Sequence, residues 1–166
     1  MTHLLLILQA EGFTVLHILC ANYKGEFLVE IVKLLVESGA DTLHRSTAKN
    51  SLGWTALHFL CRNDKQGQHF ITIARLFVDY GFDLNERFNN GWTLLHFLCK
   101  EKIGPNQLAI IRQLVDQSCK SNQYRIDIMA KDNKGLTATD YLRKQKYLEQ
   151  NTKTEIIKFL FDASRL

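Results

Sequence analysis

The chain has 166 residues, of which 46% are hydrophobic and 23% charged, with a single proline. This composition excludes an intrinsically disordered chain and fits one folded domain or one short repeat array. Lys and Arg number 21 against 17 Asp and Glu, and a net charge of +4 with both signs interspersed is not typical of a nucleic-acid-binding protein. We interpret the weak basicity as a surface property that favours an acidic partner.

The longest purely aliphatic run lies at the N-terminus, at residues 4–8. It is too short for a membrane span, which needs about 20 residues, or for the apolar part of a signal peptide, which needs about 7–15. We therefore expect an intracellular protein, cytoplasmic or nuclear, with reduced thiols and no membrane contact. Residues 1–10 form either an N-terminal cap or the remnant of a preceding repeat.

An internal repeat dominates the rest of the sequence. Four segments align without gaps, and the first three share Gly, Thr, Leu, His, Leu and Cys in identical positions; the segments are residues 12–20, 53–61, 91–99 and 135–143. Their starts are 41, 38 and 44 residues apart (53−12, 91−53, 135−91). Six identities in three copies indicate one structural unit used repeatedly.

A second apolar stretch with helical spacing follows each copy, at residues 27–36, 70–78, 108–115 and 156–161. Apolar residues at i, i+3, i+4 and i+7 give each of these helices one buried face. Gly39 and Gly81 stand where a left-handed cap would end two of them. Polar, turn-rich segments follow at 83–90 and 127–134, so the predicted unit is helix, turn, helix and extended finger.

The chain resembles the ankyrin repeat family over about residues 10–163. The matching residues are the Gly-x-Thr-x-Leu-His motif at 12–17, 53–58 and 91–96, together with the helix ends and following turns at 35–41 and 77–85. The resemblance implies an all-α solenoid of helix-turn-helix-finger units. About four repeats are expected, at about 11–50, 51–88, 89–132 and 133–166.

Two departures from the family pattern carry further expectations. The unit is longer than the usual repeat of about 33 residues, and the extra residues fall around the turn between the helices. This predicts longer helices or a wider turn. The fourth copy carries Thr139 and Asp140 where the others have Leu and His. Terminal repeats commonly differ in this way from internal ones, so we expect the fourth copy to be a C-terminal capping repeat.

The repeated His–Cys pairs raise the question of a metal site or a catalytic site; they are His17 and Cys20, His58 and Cys61, and His96 and Cys99. Equivalent helices in neighbouring repeats lie roughly 8–10 Å apart. Zinc ligands must reach about 2.0–2.3 Å, and disulfides need Cα atoms within about 7 Å. A triplicated pair also lacks the third group and the oxyanion pocket of a nucleophilic enzyme. We predict no catalytic residue, no metal and no cofactor.

The resemblance instead implies a structural role for these motifs. In the family, the threonine hydroxyl and the histidine tie the finger to the helix by hydrogen bonds, which assigns that role here to Thr14, Thr55 and Thr93 with their histidines. The cysteines then act as small buried hydrophobes where two helices touch.

Candidate partner-binding residues follow from the position between the motif glycine and threonine, which in the family points to the concave face. It holds Phe13, Trp54, Trp92 and Leu136, which we call the ladder residues. They are either anchors for a partner, because Trp is enriched in interface hot spots, or rings that pack over the neighbouring finger. In the fingers, Arg45 and Arg87 add charge, and Phe88 is a candidate exposed contact.

The sequence therefore predicts a non-catalytic protein-interaction module that binds another protein on its finger and inner-helix face, as an adaptor or a sequestering inhibitor. We expect a monomer that binds neither nucleic acid nor a membrane. The alternative is a structural or fragment array that stacks end to end into a larger repeat protein or oligomer.

Overall fold

The computed structural model describes residues 12–42, 53–64, 67, 69–88, 90–101, 106–120 and 125–165, without the side chains of residues 117–120. Eight helices occupy these residues, and none of them is long and apolar enough to cross a membrane. The chain forms two compact units: unit 1 comprises residues 1–64 and 68–82, and unit 2 comprises residues 65–67 and 83–166. The predicted N-terminal cap or remnant at residues 1–10 lies outside the described residues.

Unit 1 contains two helix pairs. The first pair is α1 (Val15–Asn22) and α2 (Leu28–Glu37), and the second is α3 (Ala56–Asn63) and α4 (Phe70–Asp79). Helix α1 packs against α3, α2 packs against α4, and the two helices of each pair contact each other. The core between them is apolar and fully buried, and its members include Leu16, Cys20, Val32, Leu57 and Phe77.

The predicted glycine caps of the outer helices are confirmed in unit 1. Gly39 follows α2 with φ 89° and Gly81 follows α4 with φ 93°, both in the left-handed region. The Ala40 N–H donates to Leu35 O and the Gly39 N–H to Val36 O, each at 2.9 Å. These paired bonds satisfy the last carbonyls of α2, because a left-handed residue turns the chain back over the helix end.

Unit 2 contains α5 (Leu94–Lys100), α6 (Gln107–Lys120), α7 (Ala138–Lys144) and α8 (Gln150–Ala163). Helix α5 packs against α7, and α6 packs against α8. The finger between α6 and α7 folds back on itself through a bridge between Lys131 and Thr137.

Five or six residues separate the two helices of each pair. In unit 2 the end of α5 is capped by side chains from the first residue of α6 and from the turn after α7. Gln107 Nε2 donates to Leu98 O at 2.6 Å, Gln145 Nε2 donates to Cys99 O, and the Tyr147 hydroxyl donates to Lys100 O. Each of these bonds satisfies one carbonyl at the end of α5 that the helix leaves without a partner.

Candidate protein-interaction surface

The motif threonine and histidine form a capping box at the start of α1, α3 and α5. In each box the backbone N–H of the threonine donates to the histidine Nδ1 at 3.1 Å. The threonine Oγ1 lies 2.8 to 3.0 Å from the same nitrogen. Because Nδ1 accepts a hydrogen bond from an N–H group, it carries no proton, and the proton of the neutral imidazole lies on Nε2.

The second ring nitrogen links one repeat to the next. His17 Nε2 lies 3.0 Å from the carbonyl oxygen of Trp54, and His96 Nε2 lies 3.1 Å from that of Leu136. Both acceptors are ladder residues of the following repeat. Burial lowers the pKa of His96 below its usual 6.5, outweighing the hydrogen bond to Leu136 O. The histidine is therefore a neutral donor that joins an inner helix to the next finger.

The fourth copy keeps the capping box without histidine. Thr137 Oγ1 donates to Asp140 Oδ2 at 2.8 Å, and the Thr137 N–H donates to the same oxygen at 3.0 Å. These bonds, the backbone one first, lower the pKa of Asp140. An ionised carboxylate can accept but cannot donate, so Asp140 offers no counterpart to the histidine Nε2–H.

The motif cysteines are fully buried free thiols in the core. Burial raises the pKa of Cys20 and Cys99 to about 12 and the pKa of Cys61 well above its usual value. A thiol that stays protonated is a poor nucleophile and a poor metal ligand. Within the described ranges, no three His, Cys, Asp or Glu side chains are grouped so that they could hold a metal ion.

The aromatic ladder residues are half-buried, and each packs edge to face on another ring, which for Phe13 and Trp92 belongs to the next repeat. The Phe13 ring meets Phe59 edge to face, with centroids 5.5 Å apart, and Trp92 meets Tyr141 in the same way at 5.1 Å. Trp54 meets Phe59 of its own repeat edge to face, with centroids 5.2 Å apart, and the Arg62 guanidinium lies 5.6 Å from the Trp54 ring centre. The ladder rings are thus held in fixed positions while part of each remains accessible.

Sequence reasoning missed the residue that organises the ladder in unit 2, which is Asp132. Its Oδ2 accepts hydrogen bonds from the Tyr141 hydroxyl at 2.6 Å and from Trp92 Nε1 at 3.1 Å. Its Oδ1 accepts from the backbone N–H groups of Lys134 and Leu136. Burial alone would raise the pKa of this carboxyl, but the hydrogen bonds outweigh it and lower the pKa to about 2. The signal in the sequence was an acidic residue three positions before Gly135, inside the predicted finger.

The remaining candidate partner-binding residues differ in burial and in contacts. The prediction that Phe88 is exposed is wrong, because the ring is only 8% exposed. Its N–H donates to Trp92 O, and its carbonyl accepts from the Gly91 N–H, so the turn folds back and carries the ring inward. Arg87 is exposed, and its Nη1 donates to Gly91 O and Lys131 O. Arg45 lies outside the described residues, and Leu136 is half-buried.

A family model described as ankyrin repeats, with three copies, matches residues 16–132. This match covers more than two thirds of the chain, and the chain therefore belongs to the ankyrin repeat family. The predicted family and the predicted all-α repeat fold are both confirmed. A search of curated proteins gives no significant match. Ankyrin repeats are generally protein-interaction modules, and the family is typically non-catalytic.

Proposed function

We propose that this chain is a non-catalytic module that binds a partner protein with its fingers and inner helices, as an adaptor or a sequestering inhibitor in the cytoplasm or nucleus. The observation that carries the proposal is the set of half-buried, firmly packed ladder rings, Phe13, Trp54 and Trp92. Large rings held in place before binding lose little conformational entropy when a partner covers them.

The chemistry of the motif residues supports a non-catalytic role. The nitrogens of His17 and His96 are engaged in hydrogen bonds within the repeat array, on Nδ1 by the capping threonine and on Nε2 by a carbonyl. The neighbouring thiols stay protonated because they are buried. Neither group can transfer a proton to, or attack, a substrate without breaking the contacts that hold the fold together.

The test is affinity capture from the native cells with three versions of the chain: wild type, Trp54→Ala, and Tyr80→Ala as a matched control. Tyr80 is another exposed aromatic side chain in unit 1, and it follows the outer helix α4. We expect wild type and Tyr80→Ala to retain the same partner, and Trp54→Ala to retain about tenfold less, the loss of an interface anchor. If all three versions capture equal amounts of the partner, and circular dichroism shows that all three are folded, the ladder residues are not the binding surface.

One observation favours end-to-end stacking as a second candidate function. The Val15 side chain on α1 is 42% exposed, whereas its counterparts Ala56 and Ala138, which have an inner helix packed before them, are 1% exposed. An apolar side chain at this position fits a further helix pair placed against α1. Sedimentation over a range of concentrations tests this: association that Val15→Glu abolishes supports stacking, and a monomer at every concentration rejects it.

A further inference from the structure

Unit 1 carries a group of aromatic rings in contact with one exposed cation. The rings of Phe13, Trp54 and Phe59 are half-buried, and Arg62 is exposed. Phe59 contacts both other rings, with its centroid 5.5 Å from that of Phe13 and 5.2 Å from that of Trp54. The Arg62 guanidinium lies 5.6 Å from the Trp54 ring centre. We call these four residues the aromatic–arginine cluster.

One buried residue, His17, holds the three rings of the cluster in place. Its imidazole meets the Phe13 ring edge to face with centroids 5.8 Å apart, and the Phe59 ring at 5.6 Å. Its Nε2 lies 3.0 Å from the carbonyl oxygen of Trp54. The cluster is therefore ordered before a partner binds, and contact with it loses little conformational entropy.

The charge of Arg62 is not neutralised within the described part of the chain. No hydrogen bond or ion pair with a described residue involves its guanidinium, which contacts the Trp54 ring. The nearest carboxylate along the chain, Asp64, has its Oδ2 at the start of α4, where it accepts from the N–H groups of His69 at 2.8 Å and Phe70 at 3.0 Å. The cluster thus combines an apolar surface with a positive charge that is available to a partner.

We propose that the aromatic–arginine cluster binds a polypeptide segment of the partner protein in which an aliphatic side chain stands next to a carboxylate, and this inference rests on the proposed function. The aliphatic side chain covers the rings, and the carboxylate accepts hydrogen bonds from the Arg62 guanidinium. Arginine suits this role because its planar set of N–H groups pairs with both oxygens of a carboxylate while the guanidinium stays against an aromatic ring.

The contacts of Arg62 favour an acidic segment over a basic segment or a nucleic acid. Aromatic rings also attract cations, but the Arg62 guanidinium already lies at the Trp54 ring, so a Lys or Arg of the partner would meet a like charge. Single-stranded nucleic acids are bound by a groove of several cations that follows the phosphate backbone, together with aromatic rings. Among the described residues a single cation, Arg62, contacts these rings.

The direct test is an NMR titration that follows the indole N–H of Trp54 and the side-chain N–H of Arg62 in the full chain. The probes are a short peptide of repeated Leu-Glu, the same peptide with Gln or with Lys in place of Glu, and a single-stranded oligothymidylate. We expect the Glu peptide to shift both signals and the Gln peptide to bind about tenfold more weakly, because an amide is a weaker acceptor than a carboxylate. The absence of a shift with the Glu peptide, equal affinity for the Gln peptide, or tighter binding of the Lys peptide or the oligothymidylate would overturn the proposal.

A matched pair of charge-removing variants locates the site. We expect Arg62→Met, which keeps an unbranched apolar side chain and removes the charge, to lose about tenfold in affinity for the Glu peptide and little for the Gln peptide. Arg75→Met removes the same charge at an exposed position on the outer helix α4 and should bind like wild type. Equal losses in the two variants would leave only a general effect of net charge and overturn the proposal.

Capture of the native partner separates this inference from the proposed function. If Arg62→Met retains as much partner as wild type while Trp54→Ala retains less, the pairing of Arg62 with a carboxylate is refuted and the ladder residues remain the binding surface. If Trp54→Ala also retains as much as wild type, the proposed binding surface fails together with the inference that rests on it.

Discussion

The imidazole Nε2 of His17 lies 3.0 Å from the carbonyl oxygen of Trp54, so that the inner helix of one repeat is bonded to the finger of the next. The same histidine closes the capping box of its own helix through Nδ1. One side chain therefore stabilises both a helix start and the junction between two repeats.

Replacing this histidine should destabilise unit 1. We expect His17→Ala to lower the free energy of unfolding by about 2 kcal/mol, because it removes a helix cap and the hydrogen bond to the half-buried Trp54. Urea unfolding followed by circular dichroism measures the change. His69→Ala serves as the control, since His69 lies in a turn outside the motif and is only half-buried. If His17→Ala lowers the free energy of unfolding no more than His69→Ala does, His17 does not stabilise the junction between the repeats.

The burial of Phe88 can be tested against an exposed residue of unit 2. We expect Phe88→Ala to cost about 3 kcal/mol of unfolding free energy, the usual effect of emptying a core aromatic site. Met129→Ala should cost much less, because that side chain is 61% exposed. Thermal unfolding of the two variants gives the comparison, and similar melting temperatures would contradict the inward position of the Phe88 ring.

Because of Asp132, the stability of the chain should decrease at acidic pH. Its folded pKa is about 2, below the ordinary value of 3.8, so the unfolded chain binds the proton more readily. The stabilisation is therefore fully present above pH 3.8 and is lost as the pH falls towards 2. We expect Asp132→Asn to be less stable than wild type near neutral pH, and the gap to close on acidification. Urea unfolding at several pH values measures this, and a gap independent of pH would exclude the ionised carboxylate as its cause.

His96 should produce a second, milder acid dependence at higher pH. Burial lowers its folded pKa below 6.5, so the unfolded chain takes up the proton first as the pH falls. The contribution is complete above pH 6.5 and is lost as the pH falls through the folded pKa. We expect wild type to lose stability just below pH 6.5 more steeply than His96→Gln, and parallel stability curves would contradict this.

The motif thiols should not react with alkylating reagents in the folded chain. Cys20, Cys61 and Cys99 are buried, and burial raises the pKa of each. Since the thiolate is the reactive form, an alkylating reagent should modify these three residues only after denaturant is added. Peptide mass spectrometry assigns the modified positions. Rapid labelling of Cys61 without denaturant would contradict its position in the core.

Regular features of the fold were predictable from the sequence because they depend on local chemistry. The Thr–His spacing and the position of Gly39 and Gly81 determine helix ends within a few residues of chain. Features that depend on the next repeat were not predictable. The role of Asp132 depends on Trp92, which lies 40 residues earlier, and the burial of Phe88 depends on the folded-back turn that ends at Trp92. No periodic pattern records either relationship.

The bond from His17 to Trp54 ends on a main-chain oxygen, so it does not depend on which side chain stands at the ladder position. Every amino acid provides the same acceptor there, as Leu136 does for His96 in unit 2. The side chain at the ladder position can therefore be exchanged while this hydrogen bond between the repeats is kept. If the ladder residues contact the partner, as proposed above, a substitution at this position changes the contact surface and leaves the bond between the repeats in place.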